Sequence, residues 1–254
     1  MLEFIDSHSH MYSEEFDEDR KEAVERARNC GISHIIMPDI DSSARDRMLR
    51  MEEEFPGFAT ALAGLHPTSV GDNYKSELKE VEKILAQRPF SGIGEIGIDL
   101  YWDRTYMKEQ IYVFEYQLGL AQDLGLPVVI HARKSMDEIF ASLKKFKDSR
   151  GIMHCFPGDT AQAQRAVDKG FYLGIGGVVT FKNSKMAEVV KSCGLEHIVL
   201  ETDSPYLTPV PYRGKRNESA NIRVIAEYIS GLTDKPLEYI SEVTTKNTLS
   251  IFKY

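Results

Sequence analysis

Cysteine is scarce in this chain: Cys30, Cys155 and Cys193 are the only three in 254 residues. They are odd in number, far apart and form no CxxC pair, so they read as reduced thiols of a cytoplasmic protein and not as a disulfide framework. Long apolar runs are missing as well. No run approaches the roughly 20 residues of a membrane span, and the opening MLEFIDSHSH lacks the basic region and long apolar stretch of a secretory signal. Excess positive charge is also absent. With 39 acidic against 31 basic residues the formal charge is −8, which argues against broad attraction to nucleic acid or anionic membrane. A local cationic cleft stays open, because bound divalent ions are themselves among the largest charges in such a site. There is no evident internal repeat and no low-complexity tract. The expectation is a soluble, cytoplasmic protein with no membrane association and no obligate protein partner.

Histidine, by contrast, is placed with a pattern. Five of the seven fall just after or inside short apolar runs: His8 and His10 in LEFIDSHSH, His66 in ATALAGLHP, His131 in PVVIHAR and His154 in GIMHCF. On a strand, residues two apart project from one face, so His8 and His10 aim at a common point. Carboxylates end two further apolar runs, Glu95 in SGIGEIG and Asp203 in HIVLETDSP. Histidine nitrogen and carboxylate oxygen without cysteine suit zinc, manganese, magnesium or similar divalent ions. The set His8, His10, Glu95, His131, His154 and Asp203 is more than one tetrahedral ion needs. Two ions sharing a bridging carboxylate would use them all.

Apolar segments alternate with helical patterns from end to end, the signature of parallel strands with crossover helices. Strands are expected over 3–7, 34–37, 58–64, 92–96, 127–130, 151–153, 171–175 and 198–201. Ala23, Val24, Ala27 and Cys30 repeat at helical intervals before Gly31, and Ile111, Phe114, Leu118, Ala121 and Leu124 before Gly125 and Pro127. Ala163, Ala166 and Val167 do so before Gly170, and 221–229 and 237–249 read as closing helices. The stretch SPYLTPVPYRGKR holds three prolines and reads as a rigid surface loop. Eight strands over about 250 residues suit an α/β fold of one domain, residues 1–254, as a single (β/α)8 TIM barrel. Such a barrel gathers its functional groups at the C-terminal strand ends, where ligands scattered from 8 to 203 would converge. An open doubly wound sheet would not focus them so.

Taken together, DSHSH, GLHP, GEIGID, IHAR, MHCF, and ETDSPYL followed by PYRGKRN resemble the TatD-type metal-dependent deoxyribonucleases of the amidohydrolase-like superfamily. The resemblance covers nearly the whole sequence, and the blocks are specific together where a lone HxH would be weak. It implies a (β/α)8 barrel that hydrolyses DNA phosphodiesters, exonuclease-like, through a metal-activated hydroxide. DNA ends, single strands or a small phosphoester would be the substrate. It also implies two divalent ions per subunit, of zinc, magnesium or manganese. His8 and His10 match the family's opening ligands, Glu95 its shared carboxylate, His131 and His154 ligands of the second ion, and Asp203 the late aspartate beside the first. Asp203 and Glu95 would be the catalytic carboxylates. Some related barrels bridge their metals with a carboxylated lysine on the fourth strand; Glu95 stands in that region here.

Other residues carry two readings each. His66 either meets a substrate phosphate or makes a backbone bond in a GLHP turn. Arg133 clamps an anionic substrate or pairs with an acidic neighbour, and Arg213 and Arg216 bind phosphate or form a solvated basic turn. Tyr101 and Trp102 stack on a base or pack their loop against the barrel. Glu201 has the position to support a ligand without binding metal, and His34 and His197 are expected to be structural, preceding strands at the opposite face. The same ligands also permit hydrolysis of an ester or amide, in a small metabolite or an aminoacyl-tRNA. A metal-binding protein without catalysis is the third alternative.

Overall fold

The apolar runs pair side by side into eight parallel strands among the described residues, 2–253, of the computed structural model. They are β1 (Phe4–Asp6), β2 (Ile32–Met37), β3 (Ala59–Ala61), β4 (Ile93–Asp99), β5 (Val128–Arg133), β6 (Gly151–Met153), β7 (Phe171–Ile175) and β8 (Ile198–Leu200). Between and after them run α1 (Arg20–Asn29), α2 (Ser42–Glu54), α3 (Tyr74–Gln87), α4 (Met107–Leu124), α5 (Met136–Leu143), α6 (Thr160–Val167), α7 (Met186–Cys193), α8 (Ile222–Thr233) and α9 (Leu237–Ile251). Local chemistry sets several ends. Asp41 caps α2 by accepting from the Ser43 and Ala44 N–H groups, Asp159 and Gln162 form a capping box on α6, and Gly125 ends α4 at φ +66°.

Hydrogen bonding gives two ladders, β1 to β3 and β4 to β8, and both seams between them are bonded. At one, Gly94 N–H donates to the Ala63 carbonyl at 2.9 Å. At the other, Ser7 N–H donates to Leu200 O at 2.9 Å and Asp203 N–H to His8 O at 3.0 Å. The sheet is therefore closed as a (β/α)8 barrel. The β1–β8 seam is reinforced by Asp6, fully buried, whose carboxylate accepts from Thr202 N–H (2.9 Å), Thr202 Oγ1 (2.6 Å) and Ser219 Oγ (2.6 Å).

Inside the barrel, Ile36, Leu62, Val129, Ile152 and Val199 meet Ile251 and Phe252 from the chain's last turn. Burying each of these larger side chains contributes roughly 1.5–3 kcal/mol. Two residues further along three of the strands, on the same face, come His131, His154 and Glu201. The apolar floor thus fixes the height at which polar groups begin.

Several strand ends differ from the expectation. β3 is shorter than 58–64, because beyond Ala61 the ladder thins to the Leu62 N–H bond to Met37 O at 2.9 Å and an isolated bridge between Ala63 and Ile93. Strand β4 runs on to Asp99, which leaves Glu95 in mid-strand, not at its end, and β5 runs on to Arg133, which takes His131 into the strand. Leu124 is exposed although it continues the apolar stripe of α4. His34 lies within β2, not before it, while His197 is exposed just ahead of β8.

His34 is buried, with Nε2 2.8 Å from Thr60 Oγ1 and Nδ1 3.2 Å from Gly57 O. Burial pushes it down to about 4, against the backbone bond to Gly57 and the charge of Glu52. In the unfolded chain it takes a proton near 6.5, so below that pH the unfolded state binds more protons and stability falls as pH falls. Between pH 7 and 5, His34→Gln should lose less stability than the wild type by on the order of 1–2 kcal/mol. Denaturant midpoints at the two pH values measure this, and parallel losses in both proteins would contradict it.

Candidate metal centre

Glu95, 2% exposed, stands at the middle of the polar layer, and its two oxygens serve opposite sides. Oε2 lies 3.0 Å from His8 Nε2 and 3.6 Å from His10 Nε2. Oε1 lies 2.9 Å from His131 Nδ1, 3.3 Å from His66 Nε2 and 3.9 Å from His154 Nε2. Asp203 Oδ1 approaches His154, His10 and His8 at 3.6, 3.7 and 3.8 Å. All six residues expected to ligate metal are therefore in one place, and His66 joins them. Burial alone would raise Glu95, but His8, His66 and His154 hold it well below the usual carboxylate range. Asp203 is pushed up to about 6 by burial and by Glu95 and Glu201, against His154 and His10. Burial lowers His8, and the neighbouring His154 lowers it further.

These donors suit a cation better than they suit one another. His8 Nε2 and His10 Nε2 are 3.1 Å apart and face the same two carboxylate oxygens, Glu95 Oε2 and Asp203 Oδ1. Among the described residues, three buried polar atoms, His8 Nδ1, His154 Nδ1 and Glu201 Oε2, have no hydrogen-bond partner, in residues that together form one potential ligand group. Two further groups of this kind are His8, His10, Glu95 and His66, Glu95, His131. Nitrogen and carboxylate donors at this density fit one or more divalent ions.

The outer nitrogens of His131, His10 and His154 each face a polar group. His131 Nε2 is 3.0 Å from Asp99 Oδ2, and His10 Nδ1 is 2.8 Å from the Tyr12 hydroxyl, which donates to Pro38 O. Glu201 Oε1 lies 3.1 Å from His154 Nδ1, an ion-pair distance not aligned for a hydrogen bond, and accepts from Cys155 N–H at 2.6 Å. Burial would lower His154, yet Glu201, Glu95 and Asp203 drive it up to about 10. Such partners orient a ligand ring and raise its basicity. Glu201 can enter the barrel because residue 174 is glycine: a Cβ there would sit 2.1 Å from Glu201 Oε2. Asp99 and Tyr12 were missed by the sequence reading. Each lies an even number of residues from a ligand on the same strand or its extension, Asp99 four beyond Glu95 and Tyr12 two beyond His10, and that alternation is the signal that finds them.

Around the rim, the arginines separate. Arg216 does not form a solvated basic turn: it pairs with Asp19 at 2.7 and 2.8 Å and lies over the Phe16 ring. Arg213 donates to Thr208 O in its own loop and lies over Phe181. Arg133 forms no ion pair with an acidic neighbour among the described residues; its Cζ lies 3.9 Å over the Tyr101 ring.

Comparison with known proteins gives a match over residues 5–253 to the family model described as TatD related DNase. The chain is 36% identical to the metal-dependent hydrolase YabD of Bacillus subtilis over 252 residues, 98% of each chain. It is 30% identical to the metal-dependent hydrolase YcfH of Escherichia coli over 256 residues, covering 98% of this chain and 95% of that one. The crystal structure of YjjV, a TatD homologue from Escherichia coli K12, matches with a TM-score of 0.93 at 30% identity, over 98% of this chain and 97% of the other.

Asp99→Asn, which cannot hold the His131 ring as a carboxylate does, should weaken divalent-ion binding about 10- to 100-fold. Calorimetric titration with Mn²⁺ reads the change, and an unaltered Kd would remove the role given to Asp99. Gly174→Ala should force Glu201 aside and destabilise the fold by about 1–3 kcal/mol, visible as a lower denaturation midpoint.

Proposed function

Because the chain belongs to the TatD-related family of metal-dependent hydrolases, we propose that it binds two divalent ions and hydrolyses phosphodiester bonds in DNA. The observation that carries this reading is the division of Glu95, with His8 and His10 about one oxygen and His131, His66 and His154 about the other. His8, His10, Glu95 and Asp203 would hold one ion, and Glu95, His131 and His154 the second, of magnesium, manganese or zinc. Ions bound there supply Lewis acidity and make water a nucleophile near neutral pH.

The protein's own groups do the rest. Asp203 reaches the centre from the β8 end, with 17% of its side chain exposed, and takes the proton of the attacking water. Glu95 stays ionised and keeps the two halves of the centre at fixed spacing. His66 accepts from the Thr68 N–H at 3.1 Å through Nδ1, the backbone bond of the GLHP turn, which leaves Nε2, 3.3 Å from Glu95 Oε1, to donate to a phosphate oxygen of the substrate. Action at DNA ends or on single strands fits a chain of charge −8, since attraction to the substrate is then confined to the centre and its rim.

Purified protein with end-labelled single-stranded DNA and Mg²⁺ or Mn²⁺ should yield stepwise shortened products. EDTA should stop the reaction and added metal restore it. Glu95→Gln and Asp203→Asn should each lower kcat about 100-fold or more with the fold retained by circular dichroism. Cleavage of carboxyl esters or amides, with no phosphodiester hydrolysed under any of these ions, would replace this reading.

A further inference from the structure

Between β4 and α4 the chain lifts Tyr101 and Trp102 into solvent, 50% and 73% exposed. The loop is not packed down on the barrel, and it is tied to the metal centre. Tyr101 N–H donates to Asp99 Oδ1 at 2.9 Å, and the other oxygen of that carboxylate is the one 3.0 Å from His131. The two rings meet edge to face at 4.8 Å and 87°. Arg133, two residues beyond His131 on β5, lays its guanidinium over the Tyr101 ring at 3.9 Å and comes within 5.1 Å of the Trp102 centroid. Among the described residues, no protein acceptor takes a hydrogen bond from that guanidinium. One face of Tyr101 is thus covered by a cation with unspent donors, and the indole beside it is open.

Cavities lie on both sides of this ridge. One, of about 490 Å³, is bounded by Asp99, Trp102, Tyr106 and Gln110; the other, of about 480 Å³, by Tyr101, Arg133, Ser135 and Gln162. Both fall within the size of small-molecule sites, about 300–1,000 Å³. An exposed aromatic face with an unpaired arginine next to a hydrolytic centre matches the two parts of a nucleotide, the base and the phosphate.

We propose that Trp102 is a stacking platform for a base flanking the scissile phosphate, and that Arg133, held in place by Tyr101, binds a neighbouring phosphate of the same strand. The inference rests on the nuclease reading above and adds to it the residues that hold the strand. A base can lie on Trp102 only if its face is free, so an unpaired or terminal nucleotide is what the platform accepts.

Trp102 is the only tryptophan of the chain, so its fluorescence reports the platform directly. Mg²⁺-loaded protein is titrated with a hydrolysis-resistant phosphorothioate single strand and, separately, with an abasic strand of equal length. The base-containing strand should quench Trp102 saturably, and the abasic strand should not. By anisotropy of labelled strands, Trp102→Ala should bind the base-containing strand roughly tenfold or more weakly, with no change for the abasic strand and none in Mg²⁺ affinity. Trp102→Phe should recover most of the loss. Arg133→Ala should reduce the slope of log affinity against log salt by about one. Equal quenching by both strands, or unchanged affinity in Trp102→Ala, would overturn the platform. Hydrolysis of unmodified DNA without selective quenching would leave the nuclease reading and remove the platform. Quenching without hydrolysis would do the reverse.

Discussion

The Asp6 carboxylate, buried where β1 meets β8, takes hydrogen bonds from Thr202 and Ser219 and from the His8 N–H at 3.3 Å. Both strands are only three residues long, so their ladder alone offers few bonds to close the barrel. Closure decides the chemistry, because His8 and His10 follow β1 while Asp203 follows β8. Burial raises Asp6 to about 7 against the bonds from Ser219, Thr202 and His8 that lower it. A charge desolvated this far is tolerable only with its acceptors filled. Asp6 fills them with groups from the β1 turn, the β8 end and the start of the last helical hairpin, which brings those three regions into register.

Much of this was legible in the linear chain, and the limits have physical causes. The convergence of the six candidate ligands could be read because each stands inside an apolar run or within a few residues of its end, and the apolar run is what the barrel interior requires. Strand ends could not be read as well. Gly97 resembles a stop, yet it continues β4: at φ +148°, a Cβ there would sit 2.0 Å from the His131 carbonyl, so glycine is what lets two strands approach. Asp99 was hidden behind that apparent stop. Arg216 looked like a free basic residue because its partner Asp19 is remote in sequence. Only the closed barrel sets the β8–α8 loop against the β1–α1 segment.

The centre also shows how a small volume can hold many titratable groups. Carboxylates and histidines alternate around Glu95, and the outer carboxylates Asp99 and Glu201 each face a histidine that in turn faces the inner one. Carboxylate and imidazole thereby follow one another outward from Glu95 through His131 to Asp99 and through His154 to Glu201. The His131, His154 and His10 rings are each backed by a polar group, so the inner nitrogen is presented without a search through rotamers.

The Pro-rich loop after β8 is fastened differently from the ridge opposite it. Arg216 pairs with Asp19, and Arg26 joins Asp19 to Glu218 at 2.9 and 2.6 Å, all with partly exposed side chains. Ions in solution weaken such pairs within a Debye length of about 8 Å at physiological strength, whereas the apolar floor under Phe252 is indifferent to them. Ionic strength therefore acts on the entrance and the body of this protein separately: it slackens one jaw of the mouth while the barrel that carries both jaws keeps its shape.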